Sequence, residues 1–176
     1  MIKCLVALTL SACASIALSS PAAAQVAQSG YSLPLALGVE AAATAIHACE
    51  VKGWPVSAFV VDTSGVVKVH LKGDHSTIHT KDSAFRKAYT LVTMGPIFGF
   101  DRTSAYAETV SKNPAGASSA LFSLPDILAL PGGVAIKRGD EIVAALGVGG
   151  APGGDRDEAC AAEGVAKIAA RVNGDR

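Results

Sequence analysis

The sequence predicts an α+β domain, a sandwich in which one five-stranded antiparallel sheet carries helices packed against it. Three observations lead there. Two glycine-containing hairpins, Pro55–Leu71 and Val134–Val148, join apolar or β-branched runs in antiparallel pairs. Segments with apolar residues at helical spacing stand before the first hairpin, between the two, and after the second. With an N-terminal export signal removed, roughly 150 residues remain, enough for one domain with one core.

The signal comes first. Met1-Ile2-Lys3 is a short positive start, Cys4–Leu18 an apolar stretch, and Ala22-Ala23-Ala24 a small-residue cleavage site before Gln25. The apolar stretch is too short and too alanine-rich for a stable span. Residues 1–24 are therefore expected to be a signal peptide and 25–176 a single periplasmic or secreted domain. A competing reading is a lipoprotein anchored through Cys13, because Leu10-Ser11-Ala12-Cys13 resembles a lipobox; it implies an unusually short signal and ranks second.

In the mature part, Leu35, Val39, Ala42, Ala43, Ile46 and Cys49 recur at helical spacing until Gly53, and Ser32 stands where an N-cap would. His47 falls beside that stripe. Pro55–Asp62 and Val66–Leu71 are strands joined by Thr63-Ser64-Gly65. Lys72–His79 is a polar loop, and Thr80 opens a helix that Gly95-Pro96 is expected to end near Met94. Thr103 or Ser104 starts a short helix to Lys112. Asn113–Leu124 reads as loop and Asp126–Leu130 as a brief strand. After Pro131-Gly132-Gly133, Val134–Lys137 and Ile142–Val148 flank the turn Arg138-Gly139-Asp140, and the second run is apolar enough to be a central strand. A final helix follows Asp155, its probable cap.

Composition excludes several functions. Fifteen basic residues balance fifteen acidic ones without forming a basic stripe, so nucleic acid is not an expected partner. No second apolar run is long enough to cross a membrane. Half the residues are hydrophobic yet only 5% are aromatic, so the core is Ala, Val, Leu and Ile, with surplus apolar surface that hints at self-association. The glycine-rich run Gly147–Gly154 follows a strand and opens a helix, the setting of a phosphate-binding loop. Pro152 stands where the third glycine is needed, and Asp155, Asp157 and Glu158 would repel a pyrophosphate, so the run is read as a bend for close packing. There is no G-x-S-x-G elbow and no HExxH, which leaves a hydrolase or lyase without support. Cys49 and Cys160 survive signal removal. They either pair in an oxidising compartment or remain two small half-buried thiols.

Several stretches, in order, resemble the GlcG/HbpS family of haem-binding and haem-degrading-type proteins, related to the C-terminal domain of PduO-type corrinoid adenosyltransferases. They are Gly53-x-Pro55-Val56-x-x-x-Val60-Val61-Asp62-x-x-Gly65, Ala84-x-x-Lys87-Ala88-x-Thr90, Pro131-Gly132-Gly133, and Gly147-x-x-Gly150-Ala151-Pro152-x-Gly154-Asp155-x-Asp157-Glu158. The resemblance implies a profilin-like fold with sheet order 2-1-5-4-3, homo-oligomers that are often octamers, and haem as cofactor in sequestration, sensing or degradation. It also implies a possible partner in a membrane sensor or another envelope protein. Where the family usually has Arg-x-Asp-Gly-Ala, this chain has Lys72-Gly73-Asp74-His75-Ser76.

Haem binding needs an apolar surface, an axial donor, and cations or hydroxyls for the propionates. Without Cys-x-x-Cys-His, attachment is non-covalent. His75 and His79 are the candidate iron ligands, although each is as readily a solvated loop histidine. Lys72, Arg86, Lys87 and Arg102 are candidate propionate partners, with Arg86 and Lys87 equally readable as a solvated helix face. Thr90 lies in the matching motif. Thr103 falls where relatives bring a threonine close to haem iron, and reads equally well as a helix cap. His70, on the polar side of its strand, is read as solvated. The rival expectation is a small-metabolite-binding or assembly module of the envelope without redox chemistry.

Overall fold

In the computed structural model, which describes residues 26, 28–121 and 123–174, the chain runs α1 (Leu35–Glu50), β1 (Ser57–Asp62), β2 (Val67–Lys72), α2 (Thr80–Phe98), α3 (Thr103–Lys112), α4 (Ala117–Leu121), β3 (Gly133–Arg138), β4 (Glu141–Gly149) and α5 (Gly154–Val172). The expected export signal and Cys13 of the lipobox-like stretch lie outside the described residues. β1 and β4 carry apolar side chains on both faces and form the middle of the sheet, where both faces are covered. Its order is β2-β1-β4-β3, antiparallel throughout. α1 and α5 cover one face and α2 the other. The α+β class is as expected.

The sheet has four strands, not five. Asp126–Leu130 is not a strand. Its backbone turns at Asp126, where φ is 66°, and α2 side chains take the polar groups a neighbouring strand would have used. Arg86 donates to Ile127 O at 2.8 Å, and Leu128 N donates to Thr90 Oγ1 at 2.8 Å. Ile127 is thereby pushed into a small cluster with Met94 and Tyr106. Beyond β3 the chain offers a single bridge at Arg102, with Ala135 N donating to Asp101 O at 2.9 Å.

Three further expectations are corrected. α2 continues through Gly95-Pro96 to Phe98 and ends at Gly99, whose φ of 74° lets its N–H return to Gly95 O. Residues 117–121 form a helical turn inside the expected loop. On α1 the stripe holds at Ala42, Ile46 and Cys49 and is rotated elsewhere: Leu35 and Val39 are 59% and 41% exposed, while Ala41 and Ala45 are buried. Small side chains let α1 approach the sheet and α5 closely, and that approach turns the larger residues outward.

The glycine-rich run is a packing device, as read. A Cβ on Gly147 would stand 2.0 Å from Ala84 O and 2.7 Å from Ala88 N, so α2 rests directly on the β4 backbone. Gly147→Ala is expected to lower stability by about 3 kcal/mol, measured by urea unfolding; a loss below about 1 kcal/mol would mean that α2 can lift away. Cys49 and Cys160 form a disulfide, Cα–Cα 5.7 Å, tying the end of α1 to the first turns of α5. Of the two outcomes left open by the sequence, the paired one holds.

Candidate functional site

The register gathers the chemistry at one end of the sheet. Ser57 pairs with both Lys72 and Gly149, so the end of β2, the end of β4 and the first turn of α2 come together. Ser57 Oγ makes hydrogen bonds with Ser76 Oγ at 3.2 Å and Thr80 Oγ1 at 2.9 Å, all three residues buried. These bonds anchor the Lys72–His79 loop to the sheet.

On the outside of that loop lies a shallow notch of about 300 Å³, lined by Glu50, Gly53, Trp54, Pro55, Asp74 and His75. His75 is exposed and has φ 64°, a left-handed conformation that costs a side-chain-bearing residue about 1–2 kcal/mol. Trp54 is flanked by Arg156, its guanidinium 5.1 Å from the ring centre, and by Lys52 at 5.7 Å. Lys52 also pairs with Glu163 at 3.0 Å. Trp54, Lys52 and Arg156 were missed by sequence reading. A lone tryptophan just past the glycine that ends a helix was the available signal for the first; the two cations, on separate elements, gave none. His79 is exposed at the entrance of α2, and its Nδ1 lies 3.3 Å from Thr77 Oγ1. Lys72 is exposed at the end of β2.

The other candidates fall into different surroundings. Lys87 is 1% exposed and is neither a propionate holder at the surface nor part of a solvated face. Its ammonium donates to Asp157 Oδ2 at 2.7 Å and to Val148 O at 2.9 Å. Asp157 Oδ1 accepts from Ala151 N at 2.9 Å. Burial pushes the Asp157 carboxyl above its ordinary value, while Lys87 and the N–H groups of Ala151 and Gly150 pull it back. Next to it, Glu158 accepts from Ser104 N and Oγ and from Gly132 N. Thr103, fully buried, accepts from Gly133 N at 2.8 Å and donates to Glu158 Oε2 at 3.4 Å. This explains Pro131-Gly132-Gly133: a Cβ on Gly132 would meet Lys87 Nζ at 2.6 Å, and one on Gly133 would meet Lys87 O at 2.9 Å.

Thr90 is likewise buried, donating to Arg86 O and accepting from Leu128 N. Arg86 is partly buried, and its Nε has no partner among the described residues. Arg102 is half exposed, 4.0 Å from Glu158. Lys87 and Thr103 thus belong to the adjoining buried contacts of Asp157 and Glu158, with half-exposed Arg102 at their edge, whereas Lys72, His75 and His79 share the loop. His79 and Thr90 are about 16 Å apart along α2 by helical rise. Among the described residues no group of three or more His, Cys, Asp or Glu is placed to hold a metal ion. No helix among them is long and apolar enough to cross a membrane.

The fit to haem divides accordingly. The notch supplies a flat apolar ring in Trp54, flanked by the Arg156 guanidinium, and an exposed imidazole in His75, while Lys72, opposite Ser57, faces the α2 side of the sheet. It lies at the small end of the usual range for ligand sites and is open, and its Glu50 and Asp74 carboxylates would repel propionates. A single chain therefore offers a shelf that fits the group, not an enclosure.

No curated protein sequence matches this chain significantly. Solved structures are similar to it, among them the three that follow. A double mutant of HbpS from Streptomyces reticuli is 36% identical over 85% of this chain and 97% of its own, with a TM-score of 0.71. A second HbpS structure is 34% identical over 85% of this chain and 99% of its own, also at 0.71. A PduOC–haem complex is 22% identical over 78% and 96%, with a TM-score of 0.68, a likeness that speaks to the fold. The family described as "Haem degrading protein HbpS-like" matches residues 33–166, and the chain belongs to that HbpS-like family.

Proposed function

We propose that this chain is an exported, non-covalent haem-binding protein that sequesters, senses or degrades haem. The reading is carried by membership of the HbpS-like family. The notch supports it further, because the loop position where relatives usually carry glycine here carries an exposed histidine at φ 64°. His75 is the proposed axial donor, with His79 as the nearby alternative on the same loop. Trp54 would hold the flat group and Arg156 would take its propionates. Haem would supply iron chemistry at that surface; this chain's part is to orient and shield it. Arg102, half exposed, would serve a group lying further along α2, whereas Arg86 is turned to Ile127 O. Lys87, Thr90 and Thr103 are assigned to the interior.

A second copy completes the shelf in this reading. The exposed Leu35, Val39 and Ile78 give apolar surface for assembly, and a homo-oligomer, an octamer in the family pattern, is the proposed form. A membrane sensor or another envelope protein is the partner class it implies. Haemin titrated into apo-protein is expected to give a saturable Soret shift, together with a size-exclusion mass several times that of one chain. A Soret band identical to free haemin throughout the titration overturns the reading.

The second reading, a small-metabolite or assembly module, has its own observation. A cavity of about 490 Å³ lies at the other end of α2, between Val92–Phe100 and the β3–β4 hairpin, with Asp101, Asp140 and Glu141 at its lining. Those carboxylates suit neither propionates nor iron-porphyrin dianions. A ligand-induced rise in Tm that does not require haem would favour it.

A further inference from the structure

A different surface lies on the α2 side of the same loop, and neither the haem reading nor the interior network uses it. Side chains alternate across a strand, so His70 and Lys72, opposite Phe59 and Ser57, face the same side of the sheet. The His70 imidazole stacks on the Phe59 ring, centres 4.0 Å apart and planes 19° from parallel. Phe59 continues edge-on to Phe85 at 5.9 Å, and Phe85 to Tyr89 at 5.6 Å. Phe59 is buried, Phe85 and Tyr89 are partly buried, and His70 is exposed. Lys81, Phe85 and Tyr89 are spaced four apart and so occupy one side of α2. Four rings thus form a continuous row that opens to solvent at His70.

The charge around the row is cationic. Lys81 is close enough to depress the His70 pKa, to which burial adds the larger part. Lys72 stands on the same side at the strand end. Asp82, on the outside of α2's first turn, pairs with Lys81, and both side chains are at least half exposed, so the lysine can turn to a ligand without leaving a buried charge behind. Stacked aromatic pairs add about 0.5–1.5 kcal/mol beyond area burial, and an added charge contact makes the combination selective.

We infer that the row of His70, Phe59, Phe85 and Tyr89, with Lys72 and Lys81 at its mouth, is a binding site for a planar aromatic carboxylate, stacked on His70 with its carboxylate between the two lysines. Two sources present this chemistry, a small aryl carboxylate and the propionate-bearing ring of a porphyrin. The site is separate from the His75 notch and stands or falls independently of haem ligation there.

The probe is 2-naphthoate, followed by the His70 imidazole proton resonances and by calorimetry at low salt. Saturable binding with shifts at His70 is expected. Lys81→Glu is expected to weaken it about tenfold and His70→Ala about fivefold, with an unchanged far-ultraviolet spectrum showing that the fold persists. His75→Gly is expected to leave naphthoate binding as it was while changing the haemin spectrum, which separates this site from the proposed haem shelf. Naphthylmethylammonium, the same ring with the opposite charge, is expected not to compete. Iron-free protoporphyrin IX distinguishes the sources: displacement of naphthoate names the porphyrin ring, and no displacement names the smaller acid. Binding that ignores Lys81→Glu, equal competition by the ammonium, or unmoved His70 resonances at saturating naphthoate overturns the inference.

Discussion

Lys87→Met is expected to lower the unfolding free energy by about 3–5 kcal/mol, the usual cost of breaking a buried ion pair by removing one partner. The lysine and its partner are 1% and 4% exposed at their side chains and 2.7 Å apart. Taking away the ammonium leaves the Asp157 carboxylate where water cannot reach it, with N–H groups from Ala151 and Gly150 as its remaining support. The same loss removes the donor to Val148 O. The pH dependence follows from the direction of the Asp157 shift. Its folded pKa is already raised by burial, and removing the cation raises it further. A carboxyl with a raised folded pKa contributes stability that is full below its unfolded value and is lost as pH rises through the folded value. The deficit of Lys87→Met should therefore be largest at neutral pH and shrink in acid, where Asp157 is protonated in both states.

The control is the pair replacement Lys87→Met with Asp157→Leu, which removes both charges and should recover most of the loss. Urea unfolding of the wild type and both variants at pH 7 and pH 4 reads all of this. A single-variant cost below about 1 kcal/mol, or one equal at both pH values, would mean that the pair is solvated in solution. If the network is structural, as its geometry implies, the double variant should still shift the Soret band of haemin. Loss of haemin binding in a folded double variant would return Lys87 to the ligand site.

That network also shows where sequence reading stops. Hairpins are local, so Thr63-Ser64-Gly65 and Arg138-Gly139-Asp140 declare themselves by turn chemistry within a few residues. The order of the four strands then matches the implied 2-1-5-4-3 with its third member removed. The missing strand was illegible for a physical reason: Ile127 and Leu128 look the same whether a neighbouring strand or α2 side chains take their backbone groups, and only Arg86 and Thr90, some forty residues away, decide. Lys87 is the same problem in another form. On a helix with an apolar stripe a lysine reads as solvated, and its partner is 70 positions further along. Asp157 and Glu158 do lie at the start of α5, where the helix dipole favours them, so a correct local reason concealed a long-range one. The α1 stripe misled through size in its first turns, because Leu35 and Val39 outrank alanine in any hydrophobic pattern although Ala41 and Ala45 are the residues that fill the gap.

His75 carries the second large prediction, since its backbone geometry argues against its own side chain. At φ 64° glycine is the relaxed choice, and His75→Gly is expected to raise the unfolding free energy by about 1 kcal/mol. The same change removes the proposed axial donor. Haemin affinity is expected to fall about a hundredfold, equivalent to about 2.7 kcal/mol, and the Soret maximum of the loaded protein to move. Gain in stability with loss of ligand binding is the signature of a residue kept for what it binds. His75→Ala separates the two effects, because it removes the imidazole but keeps a Cβ in the left-handed region; it should lose haemin as glycine does without the stabilisation. His79→Ala, at a helix entrance with ordinary backbone geometry, should change stability by no more than about 0.5 kcal/mol and leave the haemin spectrum largely intact. If His75→Gly is stabilised and binds haemin with an unchanged spectrum, His75 is a tolerated turn residue, and ligation must be sought at His79 or in a neighbouring copy. If His75→Gly is destabilised, the side chain makes contacts in solution that outweigh about 1 kcal/mol of backbone strain, and the Trp54 notch is the place to look for them.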